Sequence, residues 1–352
     1  MSESIQIRPV HPDDAQALYA IAKDPQVART LLQLPSQEFS QTEEWLSNSQ
    51  PGQHRLVAES NGRIVGSITL SQSQNPRRYH SADIGLMVAA DAWGQGVGTV
   101  LMTSVVNLAD NWLNLIRIEL EVVTHNQAAI HLYEKFGFEL EGTRRMAVFG
   151  DGRYNDEHVM ARIIPNAPIA YHKQPPIFPQ VEGVTDIIIR PIHIDDAADL
   201  ATMYRHPAVA RTTNQLPSQE DSYTIHRISN PRPGSQRLVA LALHADGSQK
   251  VVGSIHLHQH QNPRTRHVGG LGMMVHPNYW NMGIGSQLMD SIVDIADNWL
   301  NLTRVELEVN PENAHALRLY EKFGFNREGT KQLYNYGDGR WADAHFMGRL
   351  RV

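Results

Sequence analysis

The 352-residue chain contains no cysteine. That absence excludes disulfides, thiolate zinc sites, CxxC redox chemistry and a cysteine nucleophile together. Basic charge is also in short supply: 31 Lys and Arg stand against 37 Asp and Glu, a net −6 with histidine neutral. Nucleic-acid binding needs a basic face, and this balance argues against it. No run of about 18 apolar residues exists to cross a membrane as a helix. The first residues, MSESIQIRPVHPDD, lack the basic and apolar segments of a signal peptide. The expectation is a cytoplasmic protein that meets neither nucleic acid nor membrane. Apolar residues make up 41% of the chain, enough to bury a core. At roughly 100–200 residues per domain, the length points to two domains.

The chain is one unit written twice. DNWLNL occurs at 110–115 and 297–302, YEKFGF at 133–138 and 320–325, and GDGR at 150–153 and 337–340, each pair offset by 187. Upstream, IRP at 7–9 meets IRP at 189–191 and LPSQ at 34–37 meets LPSQ at 216–219, an offset of 182. The extra residues of the second copy fall between RLVA (55–58 and 237–240) and VGSI (65–68 and 252–255). Both spans read as a β-hairpin tip, where insertions cost little. A repeat this long means duplicated domains rather than a solenoid. Residues 165–185 contain five prolines, which favours an extended connection. The expected domains are therefore 1–164 and 186–352, joined by a linker at 165–185.

Each copy mixes strands and helices. IQIRPV starts as a strand and HPDDAQALYAIAK reads as a helix with aspartates in its first turn. HRLVAE and RIVGSITLSQ alternate across the Asn61-Gly62 turn. After the strand SADIGLMV, the residues Leu101, Val105, Leu108 and Trp112 are spaced to line one helical face, as are Leu288, Ile292, Ile295 and Trp299. RIELEVV is a strand, NQAAIHLYEKFG a helix, and the last two strands flank Asp151-Gly152 and Asp338-Gly339, a type I′ hairpin signal. The fold class is α/β, of the α+β mixed-sheet kind, in two tandem copies of one domain.

Chemistry is expected after SADIGLMV, where AADAWGQGVGTVLM and HPNYWNMGIGSQLM place Gly96 and Gly98, or Gly283 and Gly285, at the mouth of the long helix. Glycine allows close backbone approach, and the amides of a helix N-terminus attract anions, phosphate above all. A dinucleotide turn wants GxGxxG with an acid about 20 residues on. Here the third glycine is misplaced and Asn281 stands where the first should be. A P-loop is excluded because no Gly-Lys-Ser/Thr follows.

Two segments taken together carry a resemblance. The loop Trp93-Gly-Gln-Gly96-Val-Gly98, or Trp280-Asn-Met-Gly283-Ile-Gly285, is followed by Asn126-Gln-Ala-Ala129-Ile-His-Leu-Tyr133-Glu-Lys-Phe-Gly137-Phe138, or Asn313-Ala-His-Ala316-Leu-Arg-Leu-Tyr320-Glu-Lys-Phe-Gly324-Phe325. This pairing resembles the GNAT superfamily of N-acetyltransferases, and it covers nearly all of both copies. Trp at the first loop position departs from the usual Gln or Arg. Gln-Leu-Pro at 33–35, Arg-Leu-Val-Ala, the run from Asn75 to Gly85, and Asp-Asn-Trp-Leu look like the small bacterial branch that acetylates free L-amino acids.

The resemblance implies an acyltransferase that moves acetyl from acetyl-CoA to a primary amine of a small molecule, by direct attack in a ternary complex. The pyrophosphate would lie on the loops formed by Trp93, Gly94, Gln95, Gly96, Val97, Gly98 and Thr99, and by Trp280, Asn281, Met282, Gly283, Ile284, Gly285 and Ser286. A free backbone N–H at Met87-Val88, or Met274-Val275, would polarise the thioester carbonyl. Asn126 and Asn313 would hold the pantetheine arm, and Tyr133 and Tyr320 would protonate the leaving thiolate. Asp83 is a candidate general base, and equally an amine anchor or a structural carboxylate. Its counterpart is Gly270. Hence a second reading, in which one domain turns over and the other has a changed substrate or is a non-catalytic acetyl-CoA-binding or structural partner. A third makes the acceptor a protein N-terminus.

On the acceptor side, Gln33, Arg77, Arg78 and His80, with Gln215, Arg264 and His267 in the second copy, are candidate substrate contacts. An arginine there would suit a carboxylate. His256, His258 and His260 alternate onto one strand face, where the first copy has Thr69, Ser71 and Ser73. With no carboxylate obviously placed to complete a site, no metal is expected. Duplication predicts that the two domains pair within one chain as two subunits of a GNAT dimer would. The expected solution mass is that of a single chain. Twice that mass would count against an intramolecular pair as the complete assembly.

Overall fold

A computed structural model describes residues 5–34, 36–164 and 179–351. The chain divides into two compact units, Met1–Pro168 and Ile169–Val352. Residues 165–178 of the expected linker lie outside the described residues. Its last residues are already built into the second unit, since Val181 donates to the carbonyl of Asn278 and a strand starts at Val184.

The first unit runs β1 (Gln6–Pro9), α1 (Ala15–Lys23), α2 (Pro25–Ala28), α3 (Phe39–Ser47), β2 (Gln53–Ser60), β3 (Arg63–Gln72), β4 (Ser81–Val88), α4 (Val97–Asn111), β5 (Arg117–Val123), α5 (Gln127–Lys135), β6 (Glu139–Gly150) and β7 (Arg153–Ile163). The strands lie in the order β1-β2-β3-β4-β5-β7-β6, and only β4 and β5 are parallel. The hairpin turns form as their residues dictate. Asn61 and Gly62 have φ of 51° and 74°, and Asp151 and Gly152 have 52° and 73°, the left-handed pair that a type I′ turn requires.

The second unit repeats this plan with β8 (Val184–Pro191), α6 (Ala197–Arg205), α7 (Pro207–Thr212), α8 (Asp221–Ser229), β9 (Ser235–His244), β10 (Gln249–Gln259), β11 (Val268–Val275), α9 (Ile284–Asp294), β12 (Arg304–Val309), α10 (Ala314–Lys322), β13 (Asn326–Gly337) and β14 (Arg340–Leu350). Its extra residues lengthen the β9–β10 hairpin. The strand order is β8-β9-β10-β11-β12-β14-β13, with β11 and β12 the parallel pair.

The apolar face of α4 differs from the expected stripe. Val97, Leu101, Met102, Val105 and Ala109 are buried, while Trp112 is 78% exposed. The helix stops at Asn111, and Trp112 leaves helical geometry at φ −124°, so its ring is not carried round to the core. Trp299 is likewise 78% exposed.

The parallel pair positions everything that follows. β4 and β5 are in register only at Ser81–Arg117, Ala82–Ile118 and Asp83–Glu119. Beyond Asp83 the strands separate, and Ile84 to Val88 keep their β3 partners alone. In the second unit the pairing likewise ends at Gly270–Glu306. The closed end is clamped by a buried ion network. Arg117, 0% exposed, donates to both oxygens of Glu141 at 2.7 and 2.6 Å and to Glu119 at 2.8 Å, and Arg78 reaches Glu119 at 2.5 Å. Arg304 holds Glu306 at 2.9 Å and Glu328 at 2.6 Å in the same way. Removing one partner of such a network strands buried charge, at a cost of about 3–5 kcal/mol. Arg117→Ala is therefore expected to lower the denaturant midpoint of the first unit by that equivalent, read by urea titration; an unchanged midpoint would contradict the clamp.

Candidate active site

The separation of β4 from β5 leaves one edge of β4 without a strand partner. Which peptide groups face it follows from register. Ala89 donates to the Val65 carbonyl at 2.9 Å. Because an antiparallel ladder alternates, Met87 also turns its N–H toward β3, and Leu86 and Val88 turn theirs into the gap. In the second unit His276 donates to Val252 at 2.7 Å, so Met273 and Val275 face the gap. This corrects the expectation for Met87 and Met274, whose amides belong to the ladder. Leu86 and Met273 take their place, and strand parity is the signal that would have found them.

The tryptophan of the loop has a structural task. Its indole N–H donates to the carbonyl at the end of β4, Trp93 to Val88 at 2.9 Å and Trp280 to Val275 at 2.8 Å. The loop is thereby pinned to the strand while the Val88 N–H stays in the gap. Gly96 then starts α4 at φ 85°, and no side chain caps the helix. The first helical bond runs from the Val100 N–H to the Gly96 carbonyl, which leaves the amides of Val97, Gly98 and Thr99 without intrahelical acceptors. In the second unit Gly283 has φ 75° and Ile284, Gly285 and Ser286 are left alike. Asn281 has φ 62° where Gly94 has 75°; asparagine tolerates this left-handed geometry, so the turn survives the loss of glycine. Gly98 has a second reason: an added Cβ would lie 2.8 Å from Leu132 on α5. Gln95 points elsewhere, donating its side chain to the Asp91 carbonyl.

Tyr133 and Tyr320 sit on α5 and α10, 7% and 6% exposed. Burial pushes each hydroxyl up to about 12, so each remains protonated at neutral pH. The helices are started by Asn126 and Asn313, whose side-chain oxygens accept from the amides of Ala129 and Ala316 at 3.3 and 3.2 Å. This engages the oxygen of each asparagine and leaves its NH₂.

In the first unit these parts open on one cavity of about 1020 Å³. Gln33, Asp83, Val88, Thr99, Asn126 and Tyr133 all line it. So do two carboxylates that no motif marked, Glu121 on β5 and Glu157 on β7, and a row of hydroxyls on β3, Ser67, Thr69 and Ser71. Glu157 is 8% exposed.

Arg77, Arg78 and His80 do not line this cavity. Asn75 caps a tight turn that folds the segment under the closed end of β4. There Arg77 is buried, Arg78 is spent on Glu119, and the His80 carbonyl accepts from Ile116 and Arg117. Arg264 is likewise buried, and the His267 carbonyl accepts from Thr303 and Arg304. For Arg77, Arg78 and His80 the expected role as substrate contacts thus gives way to a structural one. Gln215 donates its backbone N–H to the Thr213 hydroxyl. Among the described residues, no group of three or more His, Asp and Glu could hold a metal.

Comparison with known proteins gives the geometry a family. The model described as "Acetyltransferase (GNAT) family" matches residues 16–138 and again 201–325. The chain belongs to that family. L-amino acid N-acetyltransferase AaaT of Escherichia coli K12 is 39% identical over 163 residues, 46% of this chain and 99% of its own length. Spermidine N(1)-acetyltransferase of the same strain is 24% identical over 176 residues, 49% of this chain and 93% of its own length. The solved structure of a GNAT-family acetyltransferase from Streptococcus pneumoniae, 29% identical, covers 46% of this chain and 99% of its own, with a TM-score of 0.42. Both GNAT units carry the loop, the asparagine cap and the tyrosine.

Loss of an N-cap side chain costs about 1 kcal/mol. Asn126→Ala is expected to destabilise the first GNAT unit by that amount, and Asn126→Asp, which keeps an acceptor, to restore it. Thermal unfolding measures both; equal melting of the alanine variant and the parent would refute the cap.

Proposed function

We propose that each GNAT unit transfers an acetyl group from acetyl-CoA to a primary amine of a small molecule, by direct attack with both substrates bound. One observation carries the reading: the uncapped start of α4, the unpartnered edge of β4 and the raised-pKa tyrosine meet in one cavity. The residues fit the donor. Three free amides and the helix dipole suit a pyrophosphate. The exposed edge of β4 offers Leu86 and Val88 to an extended, amide-bearing arm, as a strand would pair. Either N–H could bond a carbonyl oxygen as it gains charge, an effect worth roughly 3 kcal/mol in other acyl transfers.

Tyr133 is held neutral by burial, so it has a proton to give a departing thiolate. Asp83 and Glu157 line the cavity, and in this reading they would bind an ammonium group and relay its proton. With no cysteine in the chain, an acyl-cysteine route is closed. The likeness to an L-amino acid N-acetyltransferase over nearly all of that enzyme's length supports free amino acids as one acceptor class.

Removing a general acid costs typically 10²–10⁴-fold. In the full chain, Tyr133→Phe/Tyr320→Phe is expected to lower kcat for thiol release by at least about 10²-fold, with KM for acetyl-CoA little changed. The alkaline fall in rate set by these hydroxyls belongs near pH 12, where they lose the proton, rather than near 10. Undiminished kcat in the double variant would sink the assignment.

A further inference from the structure

Several residues that line the first unit's cavity are changed in the second unit, and several of the changes alter charge. Among the described residues, the charged ones lining the first unit's cavity are Asp83, Glu121 and Glu157, with no Lys, Arg or His. Glu121 is paired with Arg144 at 2.5 Å, a residue outside the lining. The repeat register carries these three positions to Gly270, Glu308 and Ala344. Two carboxylates are gone, and the third is engaged by Lys331 at 3.0 Å and by the Tyr334 hydroxyl.

Two arginines and two histidines enter at other positions. Trp45, which lines the first cavity, becomes Arg227, and Gln50 becomes Arg232. Arg227 stacks on Tyr204 and Tyr223, 5.6 and 5.7 Å from their centroids. Its guanidinium donates no hydrogen bond among the described residues, so its fork remains available. Thr69 and Ser71 become His256 and His258. The His256 ring lies over Gly272, where an added Cβ would come within 2.4 Å of it, whereas the space over the equivalent Gly85 is open. Desolvation pushes His256 down to about 4, and Arg227, Arg232, His258 and Arg237 all push the same way. The ring is thus neutral, a hydrogen-bonding group within electrostatic reach of Arg227, Arg232 and Arg237.

We propose that the two units acetylate acceptors of opposite charge: the first an amine with a further cationic centre, as in a diamine or polyamine, the second an amine bearing a carboxylate, as in a free amino acid. The inference rests on the acetyl-transfer reading of both units. In the first, carboxylates hold the second ammonium and repel an anionic group. In the second, the Arg227 fork suits a carboxylate's two oxygens, and the loss of Asp83 and Glu157 removes what would repel it.

The test uses the full chain, acetyl-CoA, and thiol release with 1,4-diaminobutane and with a panel of free amino acids. Tyr133→Phe is expected to abolish turnover of the diamine and spare the amino acids, and Tyr320→Phe to do the reverse. Glu157→Gln should raise KM for the diamine at least tenfold without moving KM for amino acids, and Arg227→Gln should do the opposite. Gly270→Asp tests the idea without depending on a lost contact. Nothing lies within 4 Å of a Cβ added there, and the new carboxylate should lower kcat/KM for amino acids at least tenfold. Turnover of both acceptor classes with variants that ignore charge, or with either tyrosine change lowering both classes equally, would overturn the division alone. No thiol release by the parent chain with any amine would overturn the acetyl-transfer reading and the division with it.

Discussion

Everything at this site depends on two parallel strands that stop pairing. β4 and β5 share three register positions and then part, and a buried arginine fixes where the parting begins. Arg117 cannot be buried without its carboxylates, and its carboxylates cannot be buried without it. The clamp therefore holds the closed end shut while the other end opens. The open end leaves peptide groups of β4 unsatisfied by protein, and a helix starts beside them with no side-chain cap. Such unsatisfied donors are costly in a fold and useful to a ligand that supplies acceptors. The tryptophan that bridges loop and strand keeps the two sets of donors in one place.

Much of this was legible in the sequence because it is written in local rules. The left-handed turns at Asn61-Gly62 and Asp151-Gly152 and the glycine start of α4 each need particular residues at particular spacings, whereas Asn126 and Asn313, read as ligand contacts, also cap their helices. The Asp-Gly turn and the glycine start of the long helix recur 187 positions later, which made them hard to mistake. What escaped the reading depended on pairing. Whether Met87 or its neighbours face the gap is a matter of ladder parity, which one strand's sequence does not contain. Arg77 and Arg78 look like substrate contacts, and only the fold buries Arg77 under β4 and turns Arg78 into the clamp. Trp112 follows the helical spacing yet lies beyond the last helical residue, so spacing alone carried it into a core it never enters. Glu157 lies on the last strand of its unit, and no motif marks it.

The duplication adds an internal comparison that a single-copy relative lacks. Parts that would meet the acetyl donor are held in common: the bridging tryptophan, the left-handed loop, the three free amides and the buried tyrosine. Even where a glycine is lost, at Asn281, the backbone angle is kept. Parts that would meet the acceptor diverge in charge and in shape, with Asp83 and Glu157 replaced by Gly270 and Ala344 and the His256 ring filling space that is open over Gly85. That pattern is what selection on two different acceptors, with one donor, would leave.

The central claim is that each unit holds a complete donor site of its own. Calorimetric titration of the full chain with coenzyme A reads this directly, because it counts sites without requiring any acceptor. Two molecules bound per chain is the result this account predicts. A single molecule, or none, would contradict it.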